Sequence, residues 1–174
     1  MLAYLFVVLA FASRFLPHPW HFTPVGAALL FFGARASRRQ IWFPVVMLAL
    51  SDVILSKYVY GMGLDLGVLV SWAWYAAIVL LGTRLRANAK PLWIGAAALA
   101  SATSFFLVSN FAVWLGSVMY PRTVSGLVTC YAAGLPFYQR DVLGTLLFAA
   151  VMFSLPALLK LPRGESATRG PAAV

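Results

Sequence analysis

Cysteine and acidic residues are what this 174-residue chain has least of: one cysteine, Cys130, and four carboxylates against thirteen lysines and arginines. A lone thiol excludes an internal disulfide and any multi-cysteine metal site. Charged residues make up 10% of the chain, against about 25% in soluble domains, and hydrophobic residues make up 63%. No stretch is polar enough for a separate soluble domain, so a water-soluble catalytic domain is excluded. A glycine-rich loop ending in a Walker lysine is missing too, so the chain carries no evident ATPase. Gly61, Gly63 and Gly67 have the wrong spacing for a dinucleotide fingerprint and read as a turn.

What is present is a series of apolar runs. Segments 2–15, 25–34, 41–56, 66–83, 91–117 and 142–160 predict an all-α, integral membrane six-helix bundle, a single transmembrane domain over 1–160 with a flexible cytoplasmic tail at 161–174. The run at 2–12 has the small-residue spacing of a signal peptide but no basic region before it, so it is read as a membrane helix. Segment 25–34 is short: ten residues cover about 15 Å of a hydrocarbon core about 30 Å thick. It must reach into its flanks, tilt, or be shielded by neighbours.

The formal charge of +9 raises the question of nucleic acid, but the basic residues sit in short breaks between apolar runs rather than on one face. Topology accounts for them better. Breaks two and four and the tail hold Arg35, Arg38, Arg39, Arg84, Arg86, Lys90, Lys160, Arg163 and Arg169; the other side holds Arg14, Lys57, Arg122 and Arg140. The bias puts both termini in the cytoplasm and breaks one, three and five outside, in a bacterial cytoplasmic (inner) membrane.

The outer breaks are the chemically rich ones. The first, Arg14-Phe-Leu-Pro-His-Pro-Trp-His-Phe-Thr-Pro-Val-Gly26, holds three prolines and both histidines, and a helix cannot run through it. His18 and His21 are three apart but flanked by proline, so no helical metal pair forms; hydrogen bonds to a ligand or to the loop's own backbone are both open. The third break supplies Tyr58. The fifth runs from Met119 to Asp141 and carries Arg122, Cys130, Tyr131 and Arg140. Its length and apolar character predict a lid over the outer mouth, bent at Gly126, Gly134 and Pro136. Arg122, Arg140 and Asp141 are its charges, read either as ligand-facing or as a solvated rim pair.

Within the helices, Asp52 lies about 16 Å along the third segment, where a bare carboxylate costs at least about 2.5 to 3.5 kcal/mol. It needs a partner, with Arg14, His18 and Arg140 as candidates; a structural ion pair and a ligand contact are both open. Asn110 and Trp114, four apart, share a helix face as an amide with an indole one turn above. That pair suits a flat ligand, and equally helix packing or interfacial anchoring. Cys130 sits in apolar surroundings that make a thiol inert, which leaves a soft contact to a ligand or a ligand's metal.

Arg14-Phe-Leu-Pro-His-Pro-x-x-Phe-Thr-Pro-Val-Gly-Ala27, Ser51-Asp52, Ser109-Asn110-Phe-Ala-Val-Trp114, Tyr120-Pro121, Cys130-Tyr131 and Leu135-Pro-Phe137 resemble the pattern of small bacterial membrane proteins described as transport proteins. Their plan is similar to the S components, the substrate-binding subunits of energy-coupling factor (ECF) vitamin transporters. The resemblance implies capture of a vitamin-class solute, corrinoids among the candidates, beneath loops one, three and five. It also implies a transmembrane coupling subunit with ATPases as partner. His21 stands where that pattern has Asn, Gly144-Thr145 where Gly-Asp is frequent, and helix one lacks an evident small-residue docking motif.

The reading is therefore a non-enzymatic transporter or substrate-binding subunit. Its ligand-binding candidates are His18, His21, Asp52, Tyr58, Asn110, Trp114, Arg122, Cys130, Tyr131 and Arg140, and no metal or cofactor is named. The competing class is an accessory subunit of a larger membrane complex, suggested by the basic inner face and the short second segment. An intramembrane enzyme built on Asp52, His18 and Cys130 is the third.

Overall fold

Helix is the only regular structure among the described residues, 1–16 and 22–159 of a computed structural model. Six α-helices follow in order: α1 Leu2–Ser13, α2 Val25–Arg35, α3 Trp42–Ile54, α4 Leu66–Arg84, α5 Pro91–Gly116 and α6 Val124–Leu158. A 3-10 turn, Arg38–Gln40, leads into α3, and a π-helical turn, Leu55–Val59, extends it. Four helical stretches are long and apolar enough to cross a membrane: Arg38–Val59, Leu66–Arg84, Pro91–Gly116 and Val124–Leu158. This is a membrane protein. Backbone amides in hydrocarbon must be bonded within their own segment, and these helices do so.

α1 and α2 are shorter, at 12 and 11 residues, or about 18 and 16 Å. Their shortness is matched by burial. Every residue of α2 from Val25 to Ala34 is buried, and Leu29, Leu30 and Phe32 are completely covered. α2 packs against α4 above all, and also against α1, α5 and α6. The short second segment is shielded by its neighbours along its whole length. Leu5, Leu9, Val46, Leu69, Leu80, Leu107, Leu147 and Val151 point outward on the other helices, as a lipid-facing belt requires.

Two glycines set the α2–α4 contact. A Cβ on Gly33 would lie 2.1 Å from the Val79 carbonyl oxygen, and one on Gly82 would lie 2.4 Å from that of Leu30. The backbones therefore touch directly, as small residues allow in membrane helix pairs. Arg86, just past α4, fastens the same end by donating from Nε to the Gly33 carbonyl at 2.8 Å and from Nη2 to the Ala36 carbonyl. Aromatic rings fill the space around α2: Phe31 meets Phe6 and Phe153 edge-on, and Phe32 meets Tyr4.

The sixth segment differs from the sequence expectation. The stretch from Met119 to Asp141 is not a lid, because α6 begins at Val124 and runs unbroken for 35 residues. The Thr123 side chain caps it, accepting from the Gly126 N–H at 3.2 Å. The three supposed bends have other uses. A Cβ on Gly126 would strike the Pro121 carbonyl, and one on Gly134 would lie 2.6 Å from Asn110 Oδ1, so both glycines seat α6 against the turn and against α5. Pro136 sits inside the helix and leaves the Ala132 carbonyl without its usual donor. Gly67 likewise lies within α4, whose N-cap Asp65 accepts from Val68 N–H at 3.0 Å, while Gly61, at φ 63°, is the true turn residue. The proposed tail at 161–174 lies outside the described residues.

Gly82→Leu is expected to lower the unfolding midpoint in detergent, with overpacking costing at least about 1 to 3 kcal/mol. Gly95→Ala, where a Cβ meets nothing within 4 Å, is the control and should be neutral or stabilising by about 0.5 to 1 kcal/mol. Equal losses in the two variants would show that the α2–α4 backbone contact is not what holds the bundle.

Candidate functional site

α2 starts only at Val25, and among the described residues no helix fills the core of the bundle beyond that point, where a cavity of about 680 Å³ lies. Val25 and Gly26 belong to its lining, and Pro24 caps α2 without a side-chain hydrogen bond, so the first-turn N–H groups remain donors at this end. The walls come from the other five helices or their ends. Arg14 follows α1, Asp52 comes from α3, Trp74 and Tyr75 from α4, Phe105 from α5 and Asp141 from α6. The π-helical turn brings Leu55 and Ser56 to the cavity, and Tyr60 and Met62 just beyond it complete that wall. Such extra-residue turns recur at functional sites, where they redirect side chains.

One polar cluster is closed upon itself. Arg14 Nη2 pairs with Asp52 Oδ1 at 2.5 Å, and Arg14 Nη1 donates to the Ser51 hydroxyl and the Leu48 carbonyl. Trp72 Nε1 donates to Asp52 Oδ2 at 3.0 Å, and the Tyr75 hydroxyl lies 3.4 Å from Oδ1. Asp52 is thus a structural carboxylate with cation, indole and phenol around it. Of the candidate partners, Arg14 pairs with it and Arg140 is exposed elsewhere, while His18 lies outside the described residues.

The other carboxylate is different. Asp141 lines the large cavity and also a second one of about 270 Å³. The Thr145 hydroxyl, at 3.4 Å, is its one hydrogen-bond partner, and no cation pairs with it among the described residues. Phe105 is also common to both cavities, so Asp141 and Phe105 form the wall between them.

Of the predicted site residues, His18 and His21 lie outside the described residues. Asp52 lines the large cavity, while Asn110 and Cys130 line the small one. Asn110 Nδ2 donates to the Phe106 carbonyl at 2.8 Å, and Cys130 Sγ lies 3.4 Å from the Asn110 carbonyl oxygen. Trp114 and Tyr131 spend their donors on the Pro121 and Leu107 carbonyls, at 3.1 and 2.7 Å, and stand at neither cavity. Tyr58, 82% exposed, faces away, as do Arg122 and Arg140. For Arg140 the physical reason is the continuous α6: successive helical residues point about 100° apart, so when Asp141 faces inward Arg140 cannot.

The sequence left Asp141 between a ligand-facing and a rim charge and off the list of candidates, and it did not single out Tyr60, Trp74 and Tyr75. A signal for α4 was available, since Trp72 and Tyr75 are three apart and share a helix face.

A model of the family of unknown function DUF6580 matches residues 1–167. The chain belongs to this family. No curated protein and no solved structure matches it. For this DUF6580 member the functional argument therefore rests on the cavity and its residues.

Arg14→Met is expected to destabilise by about 3 to 5 kcal/mol, because Asp52 is left charged and unpaired in the core. Combining it with Asp52→Asn should recover most of that loss, measured as a double-mutant cycle by denaturant unfolding in micelles. Simple additivity of the two changes would refute coupling through the pair.

Proposed function

We propose that this DUF6580 member captures a small organic solute of vitamin class in the cavity above α2. The observation that carries the reading is the hollow itself. At about 680 Å³ it falls among small-molecule sites, typically about 300 to 1,000 Å³. Ionisable side chains at membrane depth are costly and mark ligand or ion pathways, and here Arg14, Asp52 and Asp141 converge on one space. The basic breaks lie at the far end of the bundle, so the positive-inside bias turns the cavity to the outer face of a bacterial inner membrane. α1 and α2 complete six passes as short spans shielded by their neighbours.

The residues describe the ligand. Trp74, Tyr75 and Phe105 offer faces to a planar ring, while the first turn of α2 and Thr23 suit an acceptor group. Asp52 is neutralised by Arg14, so Asp141 leaves one unbalanced negative charge on the described lining. A cationic or strongly donating nitrogen matches it. A corrinoid fits less well, since Cys130 is 2% exposed and faces the smaller cavity. The resemblance to S components supports capture, with or without a coupling subunit and its ATPases.

A thermal-unfolding screen in detergent against thiamine, pyridoxine, riboflavin, biotin and cobinamide tests the reading. At about 100 times Kd a true ligand adds about 2.7 kcal/mol, a shift of several degrees. Asp141→Asn should weaken that ligand tenfold or more without lowering the midpoint of the free protein. No shift with any compound, and no small molecule carried through purification, would end the case for capture.

A further inference from the structure

The basic end of the bundle holds a second kind of site. A cavity of about 420 Å³ lies between the end of α4 and the start of α5, far from Asp52 and Asp141. One wall is Leu81 and Arg84, three apart on α4, with Asn88 in the connection beyond it, and the other is Trp93, Ala97 and Ala100 of α5. Alanines leave the groove open where larger side chains would close it. Ala100 and Trp93 are exposed on the flank of the bundle, so the groove opens sideways toward lipid as well as toward the polar boundary.

The arginines at this end divide into two kinds. Arg86 is held by the Gly33 and Ala36 carbonyls and belongs to the architecture. Arg84, two residues earlier, is exposed and has no hydrogen-bond or ion-pair partner among the described residues. Among the described residues no carboxylate lines the groove, and Asp52, Asp65 and Asp141 all lie toward the opposite end. A guanidinium at the edge of hydrocarbon with no counter-charge among those residues is matched by a phosphate, which it binds in two-pronged fashion. An adjacent amide, Asn88, adds a donor, and an interfacial indole, Trp93, fixes the depth.

We propose that this groove binds an anionic phospholipid, its phosphate on Arg84 and Asn88 and an acyl chain along Ala97 and Ala100. Basic pockets between membrane helices on the cytoplasmic side are where acidic lipid headgroups bind. A soluble phosphate ester shares the headgroup chemistry but has nothing to place against the alanines. The lipid also fills a gap that would otherwise weaken the α4–α5 contact, so its occupancy stabilises the bundle.

The test is titration of the full chain, in a neutral detergent, with dioctanoyl phosphatidylglycerol, followed by native mass spectrometry and unfolding midpoint. Dioctanoyl phosphatidylcholine and glycerol 1-phosphate are the comparison arms. The wild type should retain one phosphatidylglycerol at least tenfold more tightly than phosphatidylcholine, and glycerol 1-phosphate should not compete. Arg84→Gln removes the phosphate contact and Ala100→Phe fills the groove; both alter exposed positions, and each should weaken retention at least tenfold. Equal retention in the wild type and Arg84→Gln would overturn the proposal. Retention lost in Arg84→Gln but untouched in Ala100→Phe would also overturn it, because the chain would not lie in the groove. Glycerol 1-phosphate binding as tightly as the lipid would replace it with a soluble phosphate site.

Discussion

The direct contact of backbones between α2 and α4 is the constraint from which the rest of the molecule follows. Gly33 and Gly82 let the two helices meet with no side chain between them, and Arg86 fastens the junction by bonding the carbonyls at the end of α2. That junction lies at the basic end. A helix of 11 residues anchored there reaches only about 16 Å into a layer about 30 Å deep. Its other end therefore stops short inside the bundle, and the volume it does not occupy is the large cavity. The hollow is a consequence of where a short helix is pinned.

Charge is distributed with the same economy. Of the four carboxylates in the chain, Asp65 caps α4, Asp52 is enclosed by Arg14, Trp72 and Tyr75, and Asp141 faces the space between α5, α6 and the end of α2. The first two have structural partners that account for them. Among the described residues Asp141 has a single threonine hydroxyl at 3.4 Å, thin support for a carboxylate at membrane depth. Arg84 mirrors this at the other end, as a cation without a counter-charge among the described residues. The two groups are where the proposed solute and the proposed lipid would be met.

The α5–α6 hairpin shows why glycine and proline mislead in a membrane. In water these residues terminate helices, because the backbone can exchange its own bonds for bonds to solvent. In hydrocarbon that exchange is not on offer, and α6 continues through Gly126, Gly134 and Pro136. The glycines then serve packing: Asn110 sits against Gly134, and Pro121 against Gly126. Extending the helix also fixed which residues reach the cavities. Asp141 turns inward while Arg140, Arg122 and Tyr58 face out, and Trp114 and Tyr131 tie the hairpin together through carbonyls rather than waiting for a ligand.

The sequence by itself determined the class of molecule, an all-α membrane protein, and the need for a partner at Asp52. Hydropathy over runs of this length reports burial in lipid directly, and an ion at that depth demands compensation. Only the tertiary structure decided that Arg14 is the partner of Asp52, that α2 is sheathed by other helices, and that Asp141 rather than Arg140 faces the hollow. Those outcomes depend on the rotation of each helix about its axis and on contacts between residues far apart in the chain. In segments apolar on every side, no amphipathic stripe encodes that rotation, so it is set by where glycines let backbones touch.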